Sequence, residues 1–184
     1  MSEMNYETNR LRLRRFELED AGQVQALAGD VEIARTTLFI PHPYPDGVAE
    51  TWIESTHQNI EAGTSYAFAM IHKETNLLIG AMTIGVTRHH DRGELAYWIG
   101  KPYWNQGYGT EAAARVMQYG FEQLGLNRVW AAAMTKNPGS SNIMKKIGMQ
   151  YEGLFKEHVN KWDVYEDLVF YGLSKRDYEK MMEK

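Results

Sequence analysis

The sequence predicts an α+β domain, a three-layer arrangement in which a mixed, mostly antiparallel central sheet of about seven strands is flanked by helices. Two strand-like runs, SYAFAMIH (65–72) and LLIGAMTIGV (77–86), flank the short polar stretch KETN, which marks a hairpin. Two more, ELAYWIG (94–100) and RVWAAAM (128–134), enclose a helical pattern, as a β-α-β crossover requires. Hairpins beside a single crossover imply a sheet that is mixed rather than fully parallel. At 184 residues, with 43% hydrophobic and 24% charged positions, the chain reads as one domain over 1–184, able to bury a core without staples.

Taken in order, Leu11 and Leu13 alternate with Arg12 and Arg14, giving a first strand over 11–16. Asp20 is placed to cap a helix over 20–28, with Val24, Leu27 and Ala28 on one face. FIPHPYP (39–45) holds prolines at Pro41, Pro43 and Pro45 and cannot be regular. Asp46 then reads as the cap of a helix over 46–62, whose apolar face carries Val48, Trp52, Ile53 and Ile60. The hairpin follows, then a polar loop at 87–93 and the strand at 94–100. Ala113, Val116, Met117, Phe121 and Leu124 recur at helical spacing, so a helix is expected over 110–124, ended by Gly125. After the strand at 128–134 come a turn at Asn137-Pro138-Gly139, a short helix at 140–147, and strands near 149–156 and 164–173.

Composition excludes several classes. No cysteine is present, so disulfides, cysteine zinc sites and a cysteine nucleophile are ruled out. The net charge of −4 offers no global attraction for nucleic acid or anionic lipid. No apolar run approaches the ~18 residues of a membrane helix, and the first residues lack the apolar segment of a secretory signal. The expectation is a cytoplasmic protein with no nucleic-acid or membrane partner. A homodimer is a reasonable assembly that the sequence does not specify. His89–His90 has no companion at metal-ligand spacing, so no metal is expected.

The stretch KPYWNQGYGTEA (101–112) carries the chemistry. Gly107 and Gly109 stand at a helix entrance, where unpaired N–H groups and the positive end of the dipole favour an anion. The same glycines would equally serve a tight turn. A Walker loop is excluded, because no Gly-Lys-Ser/Thr follows. Gly107, Gly109 and Ala112 fit a dinucleotide fingerprint, but the next strand ends at Met134-Thr135-Lys136 without the carboxylate that motif needs. Lys136 leaves NADP as an alternative.

YWIGKPYWNQGYGTEA (97–112), NPGSSNIMKKIGMQYEG (137–153), DLVFYGL (167–173) and RLRLRRFELEDAG near the start together resemble the GNAT acetyltransferases, in particular the RimJ/RimL-like branch. The resemblance spans nearly the whole chain in the right order. It implies acetyl transfer from acetyl-CoA to an amine, most naturally a protein N-terminal α-amine, with a small amine or a non-catalytic acyl-CoA-binding module as the alternatives. It implies that acetyl-CoA is held by Gln106, Gly107, Tyr108, Gly109 and Thr110 at the loop, by a backbone N–H of Trp98 or Ile99, and by Asn137, Ser140 and Lys146. Two departures stand out. Trp104 occupies a position where the family has Arg or Gln, and Met144 replaces a Tyr acid and cannot donate a proton.

Amine acetylation needs a proton acceptor, donors for the oxyanion and a hydroxyl near the departing sulfur. Glu94, heading the strand before the loop, is the first candidate base, and Glu157 and His158 are the second. Ser140 is the candidate sulfur partner and could also cap its helix. Asn137 could instead only cap a helix or form the turn, and Lys145 and Lys146 could be merely solvated. HPYP (42–45) is the candidate lip of the acceptor pocket.

Overall fold

A computed structural model describes residues 4–183. One eight-stranded sheet runs in the order β1-β2-β3-β4-β5-β6-β8-β7, where β1 is Asn5–Glu7, β2 Leu11–Arg14, β3 Ser65–His72, β4 Leu78–Thr87, β5 Arg92–Ile99, β6 Arg128–Met134, β7 Gln150–Lys161 and β8 Val164–Ser174. Every neighbouring pair is antiparallel except β5 with β6. That parallel pair is the expected crossover, made through α4 (Tyr108–Glu122). The other helices are α1 (Ala21–Ala28), α2 (Val31–Ala34), α3 (Val48–Ala62), α5 (Pro138–Lys146) and α6 (Lys175–Met182).

Alternation along the strands divides the core into two layers. Phe68, Met70, Met82, Ile84, Leu95 and Val129 pack on one face against Ala112, Ala113, Val116 and Met117 of α4. Ala67, Ala69, Ile71 and Ala81 pack on the other against Val24 of α1 and Ile53 of α3. The expected hairpin and crossover strands stand where the sequence put them. The eighth strand, β1, and helices α2 and α6 are additions. Three residues, Asn5-Tyr6-Glu7, are too few to show a period, and α6 buries only Tyr178, which stacks on Phe121 at 4.5 Å.

Four local expectations change. Asp20 does not cap α1. Its carboxylate lies under Arg14, with Arg14 N–H groups at 2.7 and 2.9 Å, and accepts from the Glu17 amide at 2.9 Å. Asp46 accepts from Gln25 instead of capping α3, and Gly47, at φ +81°, takes the cap position. Helix α4 begins at Tyr108 and takes the second glycine into its first turn. Asn137, not Ser140, caps α5: its Oδ1 accepts from the Ser140 amide at 3.2 Å. Strand β7 also outruns its expected end. It continues to Lys161 and turns back through Trp162-Asp163, both at positive φ, as in a tight two-residue hairpin. Trp-Asp is not the usual sequence for such a turn, which hid it.

The feature that positions the site is a parting of strands. β5 and β6 pair only at Arg92↔Arg128, Gly93↔Val129 and Glu94↔Trp130. Beyond that rung β5 keeps to β4 as far as Ile99, and β6 keeps to β8 as far as Met134. The sheet therefore opens between β5 and β6 at their carboxyl ends.

Asp20 is 4% exposed, and its pairing with Arg14 anchors β2 to the start of α1. Asp20→Ala leaves that guanidinium without its partner and should lower the unfolding free energy by about 3 kcal/mol, read as a shift in the urea midpoint at unchanged slope.

Candidate functional site

Both parted strands run directly into helix N-termini. β5 leads through 100–107 into α4, and β6 leads through Thr135-Lys136 into α5, so two helix N-termini stand at the ends of the parted strands; at α5 Pro138 has no N–H and the Ser140 amide is taken by Asn137, so the uncapped amides are those of α4. Gly107 is the N-cap of α4 at φ +83° and provides no side-chain cap. The amides of Tyr108, Gly109 and Thr110 are thus left without a side-chain acceptor. Gly109 has a packing reason to lack a side chain, because a Cβ there would lie 2.7 Å from Cδ1 of Ile143 on α5. One glycine satisfies a turn, and the other lets α5 come close to the loop.

The free edge of β5 is set by strand alternation. The Gly100 amide donates to the Ile79 carbonyl on β4 at 2.8 Å, so the Trp98 amide also turns toward β4 while those of Ile99 and Tyr97 turn toward the opening. Of the two residues considered for this role, Ile99 has the required direction. The Trp98 side chain lies on the opposite face, packed against the α1–α3 layer. Trp104, the departure in the loop, donates its indole N–H to the Ile99 carbonyl at 2.7 Å and so occupies one polar group of the same edge. Gln106 turns its side-chain amide to the Pro102 carbonyl at 2.9 Å.

Arg10, which sequence reasoning passed over, secures the loop from outside. Its Nε donates to Glu111 at 2.8 Å, its NH1 to the Gln106 carbonyl at 2.8 Å, and its guanidinium lies 4.4 Å from the Tyr108 ring centre. Glu111 accepts in addition from the Arg10 amide at 2.7 Å and the Thr8 hydroxyl at 2.6 Å. Burial alone would raise the Glu111 carboxyl, but the Thr8 and Arg10 donors hold it below its ordinary value.

Tyr97 is the second omission. Its hydroxyl lies 2.8 Å from Ser140 Oγ and 3.2 Å from the Ser140 carbonyl, which ties β5 to the first turn of α5. Burial pushes its pKa up to about 12, against a smaller lowering by the Ser140 bond, so the phenol stays protonated. Met144 is buried in the core beneath. Lys145 and Lys146 are exposed in the last turn of α5, where their charge suits the helix terminus. Lys146 is six residues, about 9 Å of helix, beyond Ser140.

Glu94 occupies the last rung before the strands part. It is exposed, has no hydrogen-bond or ion-pair partner among the described residues, and its carboxyl is raised by desolvation from the atoms around it, which outweighs the opposing charge of Arg92. Its rung partner Trp130 stacks on Phe170 at 5.6 Å, and His158 meets Phe170 edge-on at 5.6 Å. Glu157 and His158 lie in the irregular stretch of β7 between Phe155 and Val159, where the Glu157 amide donates to Asp167 at 2.8 Å. The HPYP segment is anchored by His42, whose Nδ1 is 3.1 Å from the Gly29 carbonyl and whose ring faces Trp162 at 6.4 Å. His89 and His90 sit together in a short turn, and among the described residues they join no group of three metal-ligating side chains.

Residues 10–150 match the family model described as an acetyltransferase (GNAT) domain. The chain is 30% identical over 173 residues to an uncharacterized N-acetyltransferase, p20, of Bacillus licheniformis, covering 93% of this chain and 96% of that one. Its fold resembles a GNAT-family acetyltransferase of Bacillus anthracis, at TM-score 0.84 and 24% identity over 94% of this chain and 99% of the other. It also resembles RimL, a ribosomal L7/L12 α-N-protein acetyltransferase solved with coenzyme A, at TM-score 0.84 and 12% identity over 91% and 95%.

The Glu111 clamp sets a pH dependence for the loop. Because its carboxyl is lowered on folding, its stabilising contribution is complete above the ordinary value of 4.5 and is lost as pH falls through the lower folded value. Amide exchange at Glu111 and Ala112, the first paired amides of α4 (Glu111 N–H donates to the Gly107 carbonyl at 3.1 Å), corrected for intrinsic rate, should accelerate over that acid range in the parent protein. Glu111→Gln should show faster exchange already at neutral pH and a flatter acid response.

Proposed function

Because the chain belongs to the GNAT family of acetyltransferases and is an acetyl-CoA-dependent N-acetyltransferase, we propose that it works by direct attack in a ternary complex, with a protein N-terminal α-amine as acceptor. The observation that supports this reading is the strand parting: two helix N-termini and a free strand edge meet at one opening. The acceptor assignment draws on the likeness to RimL, whose substrate is a protein α-amine.

In this reading the pyrophosphate of acetyl-CoA lies on the amides of Tyr108, Gly109 and Thr110, with Gln106 and Gly107 shaping the approach. The backbone N–H groups of Ile99 and Tyr97 hold the pantetheine arm and the thioester carbonyl, and they stabilise the oxyanion as the tetrahedral intermediate forms. Asn137 holds the first turn of α5 in place. Lys146 would meet an outlying phosphate of the cosubstrate.

The amine must lose a proton before it can attack. Glu94, unpaired and with a raised pKa, is the proposed acceptor of that proton. Tyr97 lies three residues further along β5, about 10 Å at strand rise, so the proton passes through water. The amine nitrogen bonds to the thioester carbon, the carbon–sulfur bond breaks, and the sulfur leaves with the electron pair. The Tyr97 hydroxyl lies 2.8 Å from Ser140 Oγ; with Tyr97 as the donor of that bond, the Ser140 hydroxyl proton is free to hydrogen-bond the departing thiolate. Met144 takes no part.

Glu94→Gln should lower kcat on the order of 10²-fold while acetyl-CoA affinity changes little. Its deficit should shrink at high pH, where the amine is already free. Ser140→Ala should lower kcat less, and its deficit should persist at high pH. The pH–rate profiles of both variants with a defined N-terminal peptide test the assignment. A Glu94→Gln profile that overlays the parent at every pH removes Glu94 from the reaction.

A further inference from the structure

Lys161 is 6% exposed, and among the described residues no carboxylate lies within ion-pair distance of its Nζ. Its nearest acceptors are the carbonyls of Leu38 and Ile40, both at 3.4 Å, and its ammonium lies 4.8 Å from the Trp162 ring centre. A buried ammonium usually has a carboxylate or a short set of acceptors, and two long carbonyl contacts are a weak substitute. Burial and the charge of Lys136 both disfavour its protonated form.

The lysine lines a cleft of about 320 Å³ together with Glu32, Arg35, Lys136, Trp162 and Glu166. Both acids of this lining are engaged: Glu32 with Arg35 at 3.2 Å, and Glu166 with Lys136. The charge left over is positive and belongs to Lys161. The cleft also stands across the opening. Helix α2 begins beside the carboxyl end of β5, where Lys101 Nζ lies 4.0 Å from Asp30. Its residues Glu32 and Arg35 face Lys136, just past the end of β6, and the tip of the β7–β8 hairpin. The lining thus lies next to the carboxyl ends of both parted strands, through Lys136 after β6 and through Asp30 and Lys101 after β5.

We propose that the acceptor amine belongs to a molecule that also carries a carboxylate, and that Lys161 receives that carboxylate at the mouth of the opening. On the N-terminal reading above, on which this rests, the carboxylate is an acidic side chain next to the terminal residue. Lys161 is then a specificity-determining residue. Glu94 at the last shared rung of β5 and β6 and Lys161 in the cleft select an acceptor whose cationic and anionic ends are separated. A polyamine, cationic throughout, is disfavoured by the same lining.

The test compares kcat/KM, from release of coenzyme A thiol, for two capped peptides that differ only in the second residue, Ala-Glu-Ala-amide and Ala-Gln-Ala-amide. The parent enzyme should prefer the glutamate peptide on the order of 10-fold, the scale of a charge-assisted hydrogen bond. Lys161→Met should bring the ratio close to one through KM, with the glutamine peptide changed less than a few-fold, and Lys161→Arg should keep the preference. A parent ratio near one overturns the proposal whether or not Lys161→Met folds, and so does a preference that survives in Lys161→Met. If no peptide turns over, the N-terminal reading fails, and glutamate against its two amides asks the same question of small amines. A preference there for the free carboxylates, lost in Lys161→Met, keeps the Lys161 assignment, and equal rates for acid and amides overturn it.

Discussion

Everything at the site depends on three rungs of parallel pairing that stop. An interior strand normally pairs along both edges. β5 pairs fully along one edge and over only three rungs along the other. The unpaired edge is held straight by what surrounds it: β4 along its far side, the Trp104 indole on the Ile99 carbonyl, and the Tyr97 side chain reaching α5. The opening is thus built into the fold, with its polar groups fixed before any ligand arrives, as electrostatic preorganisation requires.

Long-range contacts keep the two halves of the sheet in register across that gap. On the α4 face, Tyr97 and Ser140 join β5 to α5, and Gly109 lets Ile143 seat against the loop. On the other face, the β7–β8 hairpin reaches the segment before α3 through Lys161. A cosubstrate and an acceptor entering from opposite faces would meet between these two ties.

Elements with strong local signals were legible in the sequence. The hairpin of β3 and β4 and the strand β6 needed only alternation, turn residues and apolar runs, and the glycine loop marked the start of α4. The rest depended on partners far along the chain. Arg10 meets Glu111 across 101 positions, Tyr97 meets Ser140 across 43, and Lys161 reaches Leu38 across 123. No local pattern reports such contacts. Asp20 and Asp46 had the right chemistry for caps, but Arg14 and Gln25 offered their carboxylates other partners. Trp104 read as a missing charge, whereas its indole N–H holds the free strand edge.

The central claim is that the parted edge of β5 and the N-terminus of α4 form one binding surface for acetyl-CoA. Backbone amide exchange with and without coenzyme A measures this directly. The account predicts that Tyr97, Ile99 and Tyr108–Thr110 become protected together, with the same dependence on coenzyme A concentration, while Trp98, already turned toward β4, changes little. Saturable binding that leaves Tyr97 and Ile99 unprotected, or protects Trp98 in their place, would contradict it.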